Sequence, residues 1–363
     1  MRVLTVIPEL GVGGAEVVAV TIATAAAARG LDVVVASGPG YRIDRLREAG
    51  VPHVPVPLVG RSPSGLVRAL TRLRALPRPD VVHAHNPKAT LLARLAFGNR
   101  VPILTTLHGV ADEHRRSATG ILRWASSRVV VVSPHLGGQL ERDGYPAARI
   151  DVVANGVDPL PAYPRDRARA ELGLSAGAVV GLCLARMVDQ KRHDILVDAW
   201  PAVADRAVLL LAGDGPNRAQ VVDAVARHGL TDSVRHLGER SDVARLVAAS
   251  DFLVLPTDWE GLPVSVLEAL AAGLPVVASR VGGLVEHFAD AVRFVEPGSV
   301  PAMAEALEHV VTEPWLRADL AERGRRLAAE RFGSGSMVGC YLEIYARLAG
   351  AASGHLTRAG DPR

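Results

Sequence analysis

The chain has 363 residues, a length that predicts two domains at ~100–200 residues per domain. Hydrophobic residues make up 49% of the chain and charged residues 22%, a composition that excludes a largely disordered protein. The formal net charge of +3 is too small by itself to indicate a nucleic-acid partner. The two cysteines, Cys183 and Cys340, are too few for a disulfide scaffold or a cysteine-rich metal site, and both are interpreted as core residues.

The basic residues are almost all arginines. Of the 41 lysines and arginines, the lysines are Lys88 and Lys191. This bias is typical of GC-rich coding and predicts a bacterial source. Because lysine is scarce in this chain, the surroundings of each lysine are candidates for function.

The sequence lacks the pattern of a targeting signal or a membrane span. The apolar start is interrupted at Pro8 and Glu9, before it reaches the length of a signal peptide. The longest uncharged helical stretch, Val17–Ala28, is too short to cross a bilayer. We therefore expect a cytoplasmic protein, peripheral at the inner membrane face if it contacts a membrane.

In chain order, short β-branched runs alternate with amphipathic stretches. Continuous apolar runs predict strands that are covered on both faces, at Val3–Ile7, Asp32–Ala36, Val81–Ala84, Ile103–Thr106, Val129–Val132 and Asp151–Val153. Between these strands, residues at helical spacing predict helices at Ala15–Arg29, Ser64–Leu76, Pro87–Phe97 and Pro134–Asp143. This repeated βα pattern predicts a doubly wound parallel sheet.

The proline-rich segment Asp158–Pro164 follows and is predicted to be a linker. The alternation then restarts with strands at Ala178–Leu184, Ala207–Ala212, Ser233–His236, Phe252–Leu255 and Pro275–Ala278. Helices are predicted at Asp194–Ala204, Arg218–Arg227, Val243–Ala249, Val264–Ala272, Val300–Thr312 and Pro314–Arg331. The prediction is two Rossmann-like domains, residues 1–160 and 165–334, facing across a ligand cleft, with a C-terminal helix at 337–350 packing back on the first.

Three segments have the chemistry of an anion site. Gly11-Val-Gly-Gly-Ala-Glu16 opens a helix after the first strand, where free backbone N–H groups and the helix dipole favour a phosphate; a tight turn is the alternative. Arg186 and Lys191 follow a strand of the second domain and would clamp a diphosphate, unless they are solvated surface cations.

The third segment pairs two carboxylates. Glu260 and Glu268 flank the turn Gly261-Leu-Pro263 and the start of a helix, so one carboxylate would hold sugar hydroxyls and the other a ribose. The alternative is a helix cap and a structural carboxylate. That alternative is weaker, because Glu268 interrupts an otherwise apolar helix and needs a partner there.

Taken together and in order, these segments resemble the retaining GT-B glycosyltransferases of family 4, across roughly residues 1–350. Supporting segments of the same resemblance are His108-Gly109, Val132-Ser-Pro134, Asn155-Gly-Val-Asp158, Gly213-Asp-Gly-Pro216, Ala272-Gly-Leu-Pro275 and Gly282-Gly283. The resemblance implies a GT-B fold and sugar transfer from a nucleotide-diphosphate sugar to a hydroxyl acceptor, either a small molecule or lipid-linked. UDP-N-acetylglucosamine and UDP-glucose are the favoured donors, with a GDP-sugar as the alternative.

The resemblance also implies a role for each matching residue. Arg186 and Lys191 would hold the donor diphosphate, with Gly13 and Gly14 reaching it from the first domain. Glu268 would accept from the ribose, and Glu260 with the backbone of Gly261 and Leu262 would orient the sugar. The base would contact Arg235–Gly238, chiefly His236 and Leu237, and His108 would lie near the reacting centre.

The acceptor side is the least defined part of the sequence. Arginines 61, 68, 72, 74 and 78 on and beside the helix at 64–76 indicate either a solvated face, the favoured interpretation, or contact with a membrane or an anionic acceptor. Asp112 and Glu113 would suit a cationic acceptor, and His114-Arg-Arg116 would border its pocket. His53, His83 and His85 are interpreted as structural.

No Asp-x-Asp occurs in the chain, so Arg186 and Lys191 are expected to replace a divalent ion and no essential metal or other cofactor is expected. Two alternative functions stay open. One is a GT-B nucleotide-sugar epimerase, although its acid and base carboxylates cannot be located. The other is a non-catalytic nucleotide-sugar-binding protein, which would predict the loss of Arg186, Lys191 or Glu268, whereas all three are present.

Overall fold

A computed structural model describes residues 1–58 and 62–358. It divides the chain into two compact units. Unit 1 combines Met1–Asn155 with the segment that begins at Ser334, and unit 2 is Gly156–Gly333. The first boundary therefore lies just before the predicted linker, and the chain returns to unit 1 at its C-terminus.

Within its described residues, unit 1 is built on a seven-stranded parallel sheet with the order β3-β2-β1-β4-β5-β6-β7. The strands are β1 Arg2–Val6, β2 Asp32–Ser37, β3 His53–Pro55, β4 Val81–Ala84, β5 Ile103–Leu107, β6 Arg128–Val131 and β7 Ile150–Val152. Its helices are α1 Gly14–Ala28, α2 Ile43–Glu48, α3 Pro63–Arg74, α4 Pro87–Phe97, α5 Asp112–Ala125 and α6 Pro134–Arg142.

Unit 2 has a six-stranded parallel sheet with the order β10-β9-β8-β11-β12-β13. The strands are β8 Val179–Leu184, β9 Ala207–Ala212, β10 Val234–Gly238, β11 Phe252–Leu255, β12 Val276–Ser279 and β13 Arg293–Val295. Its helices are α7 Arg165–Glu171, α8 His193–Ala199, α9 Arg218–Arg227, α10 Val243–Ala249, α11 Val264–Ala271, α12 Gly282–Phe288, α13 Val300–Thr312 and α14 Pro314–Arg331. The GT-B-type α/β architecture expected from the sequence is confirmed.

The C-terminal helix, α15 Ser334–Arg358, belongs to unit 1. It begins three residues earlier than the predicted Met337 and continues beyond residue 350, so the predicted break before it is shorter than expected. Leu342 of α15 packs against an apolar cluster formed mainly by α1, β2 and the segment that follows β1. Cys340, interpreted from the sequence as a core residue, is exposed on this helix, and that prediction was wrong; Cys183 is fully buried in β8.

Both sheets contain a point where the strand order reverses. In unit 1 it lies between β1 and β4, and in unit 2 between β8 and β11. Ligands of doubly wound sheets bind outside the carboxyl ends of the strands at this point, because the loops there diverge to opposite faces. The loops after β1, β4, β8 and β11 are therefore where functional residues are expected.

Among the described residues, none of the helices combines the length and apolar character required to cross a membrane.

Candidate functional site

In unit 2, Arg186 and Lys191 lie on the loop that leaves β8 at the reversal point. This loop packs tightly on the loop after β9. A Cβ atom placed on Gly213 would lie 2.0 Å from the Ala185 carbonyl oxygen, and one on Gly215 would lie 2.3 Å from the Met187 carbonyl oxygen. Both positions therefore require glycine. The close contact that the two glycines allow supports the loop that carries Arg186 and Lys191.

Lys191 forms an ion pair with Glu260, which follows β11 on the other side of the reversal point. The two side chains are 14% and 8% exposed. The hydroxyl of Thr257 lies 3.0 Å from Oε1 of Glu260, the same oxygen that faces Lys191. A charged group this deeply buried needs such partners, because desolvation of an unpaired charge is costly. The arrangement therefore holds an ammonium and a carboxylate in place at the carboxyl edge of the sheet.

Hydrogen bonds to backbone carbonyls join the same two loops. The side-chain Nε2–H of Gln190 donates to the Trp259 carbonyl at 2.7 Å, and the backbone N–H of Asp258 donates to the Gln190 carbonyl at 3.0 Å. Arg192 adds a side-chain link, with its Nη1 3.0 Å from Oδ1 of Asp258. The loops after β8 and β11 are thus fixed to each other before any ligand binds, which reduces the entropy cost of binding.

Arg192 has a left-handed backbone, with φ 36° and ψ 46°. Among the described non-glycine residues it is the one with positive φ. A side chain in this region crowds the following carbonyl, and the conformation is held here by ion pairs from Arg192 to Asp194 and Asp258.

Arg186 differs from Lys191 because its side chain is exposed. It makes no ion pair or side-chain hydrogen bond to any described residue. An exposed guanidinium beside a fixed ammonium is suited to a diphosphate. The planar guanidinium can bind two phosphate oxygens at once, and the ammonium adds a second positive charge.

The turn after Glu260 is packed against the N-terminus of α12. A Cβ atom on Gly283 would lie 1.8 Å from the Gly261 carbonyl oxygen and 2.8 Å from that of Glu260. Gly261 and Leu262 are buried and lead into α11, where Glu268 is the fifth residue and is half-buried. The predicted carboxylates therefore lie before and inside the same helix, as the sequence indicated.

The predicted base contact lies on β10, an edge strand. Nε2 of His236 lies 3.2 Å from the Gly213 carbonyl oxygen, so this side chain is tied to the loop after β9. Leu237 is half-buried beside a register shift between His236 and Gly238. The Arg235 guanidinium donates to the carbonyls of Leu172 and Gly173 and is used within unit 2.

In unit 1, the glycine turn after β1 forms the start of α1. Gly13 is the N-cap, which as a glycine provides no side-chain cap, and Gly14 is the first helical residue. A Cβ atom on Gly13 would meet the Glu16 carboxylate at 2.1 Å. Neither glycine has a positive φ, and the Glu16 carboxylate lies at the N-terminus of α1 beside Gly13.

His108 follows β5 and is half-buried, with its Nε2 3.2 Å from Nδ1 of His85. His85 follows β4 and is 3% exposed, and His83 within β4 is fully buried. Burial lowers the pKa of His108 to about 4. Burial, followed by the neighbouring His108, lowers the pKa of His83 to about 3. Burial, followed by the neighbouring His83 and His108, holds the pKa of His85 well below its ordinary value, so all three imidazoles are neutral near pH 7.

His83 and His85 are buried, as a structural interpretation requires, yet His85 contacts the predicted site residue His108 directly. His53 is half-buried, with Nε2 2.9 Å from the Ser37 hydroxyl.

Several arginines on and beside the basic helix, α3, are used within unit 1. On the helix, Arg72 donates to the Pro55 carbonyl and Arg74 to Leu95 O at 2.9 Å. Beyond its end, Arg78 donates to Arg100 O at 2.6 Å. Arg68 is exposed, and Arg61 lies outside the described residues. Membrane contact through this helix stays a prediction.

Asp112 and Glu113 occupy the first turn of α5, a helix that the sequence analysis did not predict. Acids at this position stabilise a helix through its dipole. Asp112 also forms an ion pair with Arg115, so its charge is already matched within unit 1. This favours the structural role of Asp112 over contact with a cationic acceptor.

Several residues of the site were not predicted from the sequence. Thr257, Gln190 and Arg192 join the two loops of unit 2, and His85 contacts His108. A sequence signal existed for His85, because His83-x-His85 and Thr106-x-His108 place four polar side chains at alternate positions of two buried strands. Within the described ranges, no three His, Cys, Asp or Glu side chains are grouped to hold a metal ion.

Comparisons with known proteins agree with this architecture. Residues 12–159 match the family model "Glycosyltransferase Family 4", and residues 178–313 match "Glycosyl transferases group 1". The chain is 28% identical to the N-acetyl-alpha-D-glucosaminyl L-malate synthase of Bacillus anthracis, over 92% of this chain and 94% of that protein. It is 30% identical to the D-inositol 3-phosphate glycosyltransferase of Salinispora arenicola, over 79% and 73% of the two chains.

The crystal structure of Anabaena HepE in complex with UDP and glucose superimposes with a TM-score of 0.85 at 22% identity. The match covers 95% of this chain and 99% of HepE, and it shows a common fold. The chain therefore belongs to the group 1, family 4 glycosyltransferases and is a glycosyltransferase of the GT-B fold.

Proposed function

We propose that this enzyme transfers N-acetylglucosamine or glucose from a UDP-sugar to a hydroxyl acceptor, with retention of the anomeric configuration. The observation that carries the proposal is the pair of cations on the loop after β8, with Arg186 exposed and Lys191 fixed by Glu260. A leaving diphosphate needs the positive charge of these two side chains. GDP-sugars are the alternative donors.

The names of the relatives support the sugar and the stereochemistry. The Bacillus relative is named for an α-linked glucosaminyl product, and HepE was crystallised with UDP and glucose. The acceptors in the two relatives' names, L-malate and inositol 3-phosphate, differ from each other. We therefore propose a hydroxyl acceptor, either a small molecule or lipid-linked, without choosing its structure.

In the proposed reaction the C1–oxygen bond to the β-phosphate breaks, and C1 bonds to the acceptor oxygen on the same face. The acceptor proton passes to an oxygen of the departing phosphate, so no protein nucleophile is needed. Arg186, Lys191 and the N-terminal amides of Gly13 and Gly14 would stabilise the diphosphate. Glu260, with the backbone of Gly261 and Leu262, would orient the sugar, and Glu268 would hold the ribose.

The remaining contacts complete the proposal. The backbone at His236 and Leu237 would contact the base. His108 would lie beside the reacting centre, where a neutral imidazole supplies a hydrogen bond. Because Arg186 and Lys191 supply the positive charge, we propose that no metal ion is essential.

A donor screen tests these statements. The purified enzyme is incubated with UDP- and GDP-sugars, with and without EDTA, and sugar release is measured. We expect hydrolysis of UDP-N-acetylglucosamine or UDP-glucose at a rate that EDTA leaves unchanged. The released sugar should be the α anomer in the first NMR spectra, before its anomers equilibrate in water. A β product would contradict retention, and loss of activity with EDTA would contradict metal independence.

The same screen separates the alternative functions. An epimerase would convert the sugar nucleotide into its epimer without releasing UDP. A non-catalytic binding protein would bind UDP in calorimetry and leave every donor intact. Glu260→Gln provides the matched variant: we expect it to lower turnover more than UDP affinity, because Glu260 is proposed to contact the sugar.

A further inference from the structure

A continuous row of polar side chains runs across one face of β4 and β5 in unit 1. His83 and Thr106 lie within these strands, and His85 and His108 follow two positions later, one residue past the end of each strand. Side chains two residues apart share a face of a strand, so all four point to the same side of the sheet. The opposite face carries Val82, Ala84 and other apolar side chains that pack against α3 and α4.

The C-terminal helix fixes one end of this row. Nδ1 of His83 lies 2.7 Å from the Tyr345 hydroxyl, and Nε2 lies 2.7 Å from Oγ1 of Thr106. The Tyr341 hydroxyl lies 2.9 Å from the same Thr106 oxygen. Both nitrogens of His83 are therefore engaged, and its ring cannot rotate without breaking two buried hydrogen bonds.

His85 lies between this anchored end and His108. Its ring centroid is 4.1 Å from that of His83 and 5.5 Å from that of His108, to which it is nearly parallel at 12°. Its Nδ1 is 3.2 Å from Nε2 of His108. Its own Nε2 is buried and has no hydrogen-bond partner among the described residues.

The unpartnered nitrogen indicates which atom carries the proton. If His108 donated to His85, the proton of neutral His85 would be on Nε2, as a buried N–H with no acceptor, which is rare in proteins. If His85 Nδ1–H donates instead, the atom left unpaired is an acceptor. We infer that His85 is a positioning residue that donates Nδ1–H to His108 Nε2 and so fixes His108 as the Nδ1–H tautomer.

The consequence is a defined role for His108. Its Nδ1–H makes no hydrogen bond to any described residue and is the group available to a ligand. His108 then acts as a hydrogen-bond donor, toward a sugar hydroxyl or phosphate oxygen, and not as a proton acceptor. This role of His108 deepens the proposed function and rests on it for the identity of the ligand. The assignment of the His108 tautomer does not depend on the proposed function.

The first arm of the test is independent of activity. Nitrogen-15 NMR distinguishes a protonated from a bare imidazole nitrogen, and the signals of His108 are assigned by their loss in His108→Gln. We expect a protonated Nδ1 and a bare Nε2 in the wild-type chain, and a mixture of tautomers in His85→Leu. A proton on Nε2 in the wild type, or an unchanged pattern in His85→Leu, would overturn the inference.

The second arm uses the transfer reaction. We expect His85→Leu to lower kcat about tenfold while UDP affinity is unchanged, because one fixed hydrogen bond is lost. His85→Asn, whose amide N–H takes the place of Nδ1–H, should recover most of this loss. Thr105→Val is the matched control, because it removes a buried hydroxyl from the opposite face of β5 and should leave kcat unchanged.

A double variant separates positioning from general destabilisation. In a His108→Ala background, adding His85→Leu should have no further effect on kcat, because His85 acts through His108. If the losses of kcat in the two single variants instead multiplied in the double variant, His85 would act independently of His108 and the inference would be overturned. If the wild type transfers no sugar from any donor, the proposed function fails, while the NMR arm still decides the tautomer.

Discussion

Lys191 and Glu260 form a largely buried ion pair although they lie on loops that follow different strands, β8 and β11. These strands are neighbours at the point where the order of the sheet reverses. The pair therefore places opposite charges where doubly wound sheets bind their ligands. Since Thr257 contacts the same carboxylate oxygen, Glu260 is held by groups from both loops.

Lys191→Ala is expected to weaken UDP binding about 10- to 100-fold, because a charge-assisted hydrogen bond to phosphate is lost and Glu260 is left without its cation. Isothermal calorimetry with UDP measures this, and circular dichroism checks the fold. Arg206→Ala removes an exposed cation of unit 2 and is the control. UDP affinity equal to that of the wild type would remove Lys191 from the diphosphate site.

Arg192 offers a test of backbone strain. Arg192→Gly and Arg192→Ala both remove the ion pairs to Asp194 and Asp258, but only glycine is relaxed at φ 36°. We expect the glycine variant to have a free energy of unfolding about 0.5–1 kcal/mol above that of the alanine variant. Urea unfolding of the two variants measures the difference. Equal stability would mean that the left-handed backbone at this position is not strained.

Gly283→Ala is expected to displace the backbone that carries Glu260 and Gly261. The added Cβ would lie 1.8 Å from the Gly261 carbonyl oxygen, so one of the two segments must move. A shift of about 1 Å at a reacting group costs up to ~100-fold in rate, and we expect donor turnover to fall at least about tenfold. Gly120→Ala in α5, where no atom lies within 4 Å of the new Cβ, is the matched control. Equal turnover of the two variants would contradict the role of this contact.

The histidine row predicts a pH dependence of stability. The groups that face it are His83, His85 and His108, with Tyr341 and Tyr345 of α15, and burial raises the pKa of both tyrosines. The pKa of His83 is lowered to about 3 and that of His108 to about 4, from 6.5. The unfolded chain therefore binds more protons, and stability falls as the pH drops below 6.5.

We expect each of these two histidines to reduce the free energy of unfolding by up to about 2 kcal/mol between pH 7 and pH 5. Denaturant unfolding at the two pH values measures the total. Since neither imidazole becomes charged in this range, the row should also leave kcat unchanged between pH 6 and pH 8. An equal free energy of unfolding at pH 5 and pH 7 would contradict the neutral state of the row.

The central strands could be predicted from the sequence alone. Ala207–Ala212 and Phe252–Leu255 form β9 and β11 with the predicted bounds, because each is an apolar run covered on both faces. Two three-residue strands at sheet edges, β3 and β13, were not predicted. A strand of three residues shows little pattern, and the third such edge strand, β7, was predicted one residue further along the chain, at Asp151–Val153.

The positions of the candidate site residues could be predicted where these residues stand next to strand ends. Arg186, Lys191, Glu260 and His108 all follow a strand, and their functional roles stay predictions. Gln190 and Thr257 were not, because their contacts are to carbonyls and to one carboxylate oxygen on another loop. Such contacts depend on loop conformation, which composition and spacing do not determine.

The return of α15 to unit 1 has a consequence for synthesis on the ribosome. Unit 2 is one continuous stretch of chain, whereas unit 1 is incomplete until its last helix, α15, has been synthesised. This helix supplies the hydroxyls of Tyr341 and Tyr345 that contact β5 and β4. Every element of unit 2 has left the exit tunnel before unit 1 can be completed. A nascent chain that has emerged only as far as Gly333 would thus hold a complete unit 2 and a unit 1 whose buried His83 and Thr106 still lack their tyrosine partners.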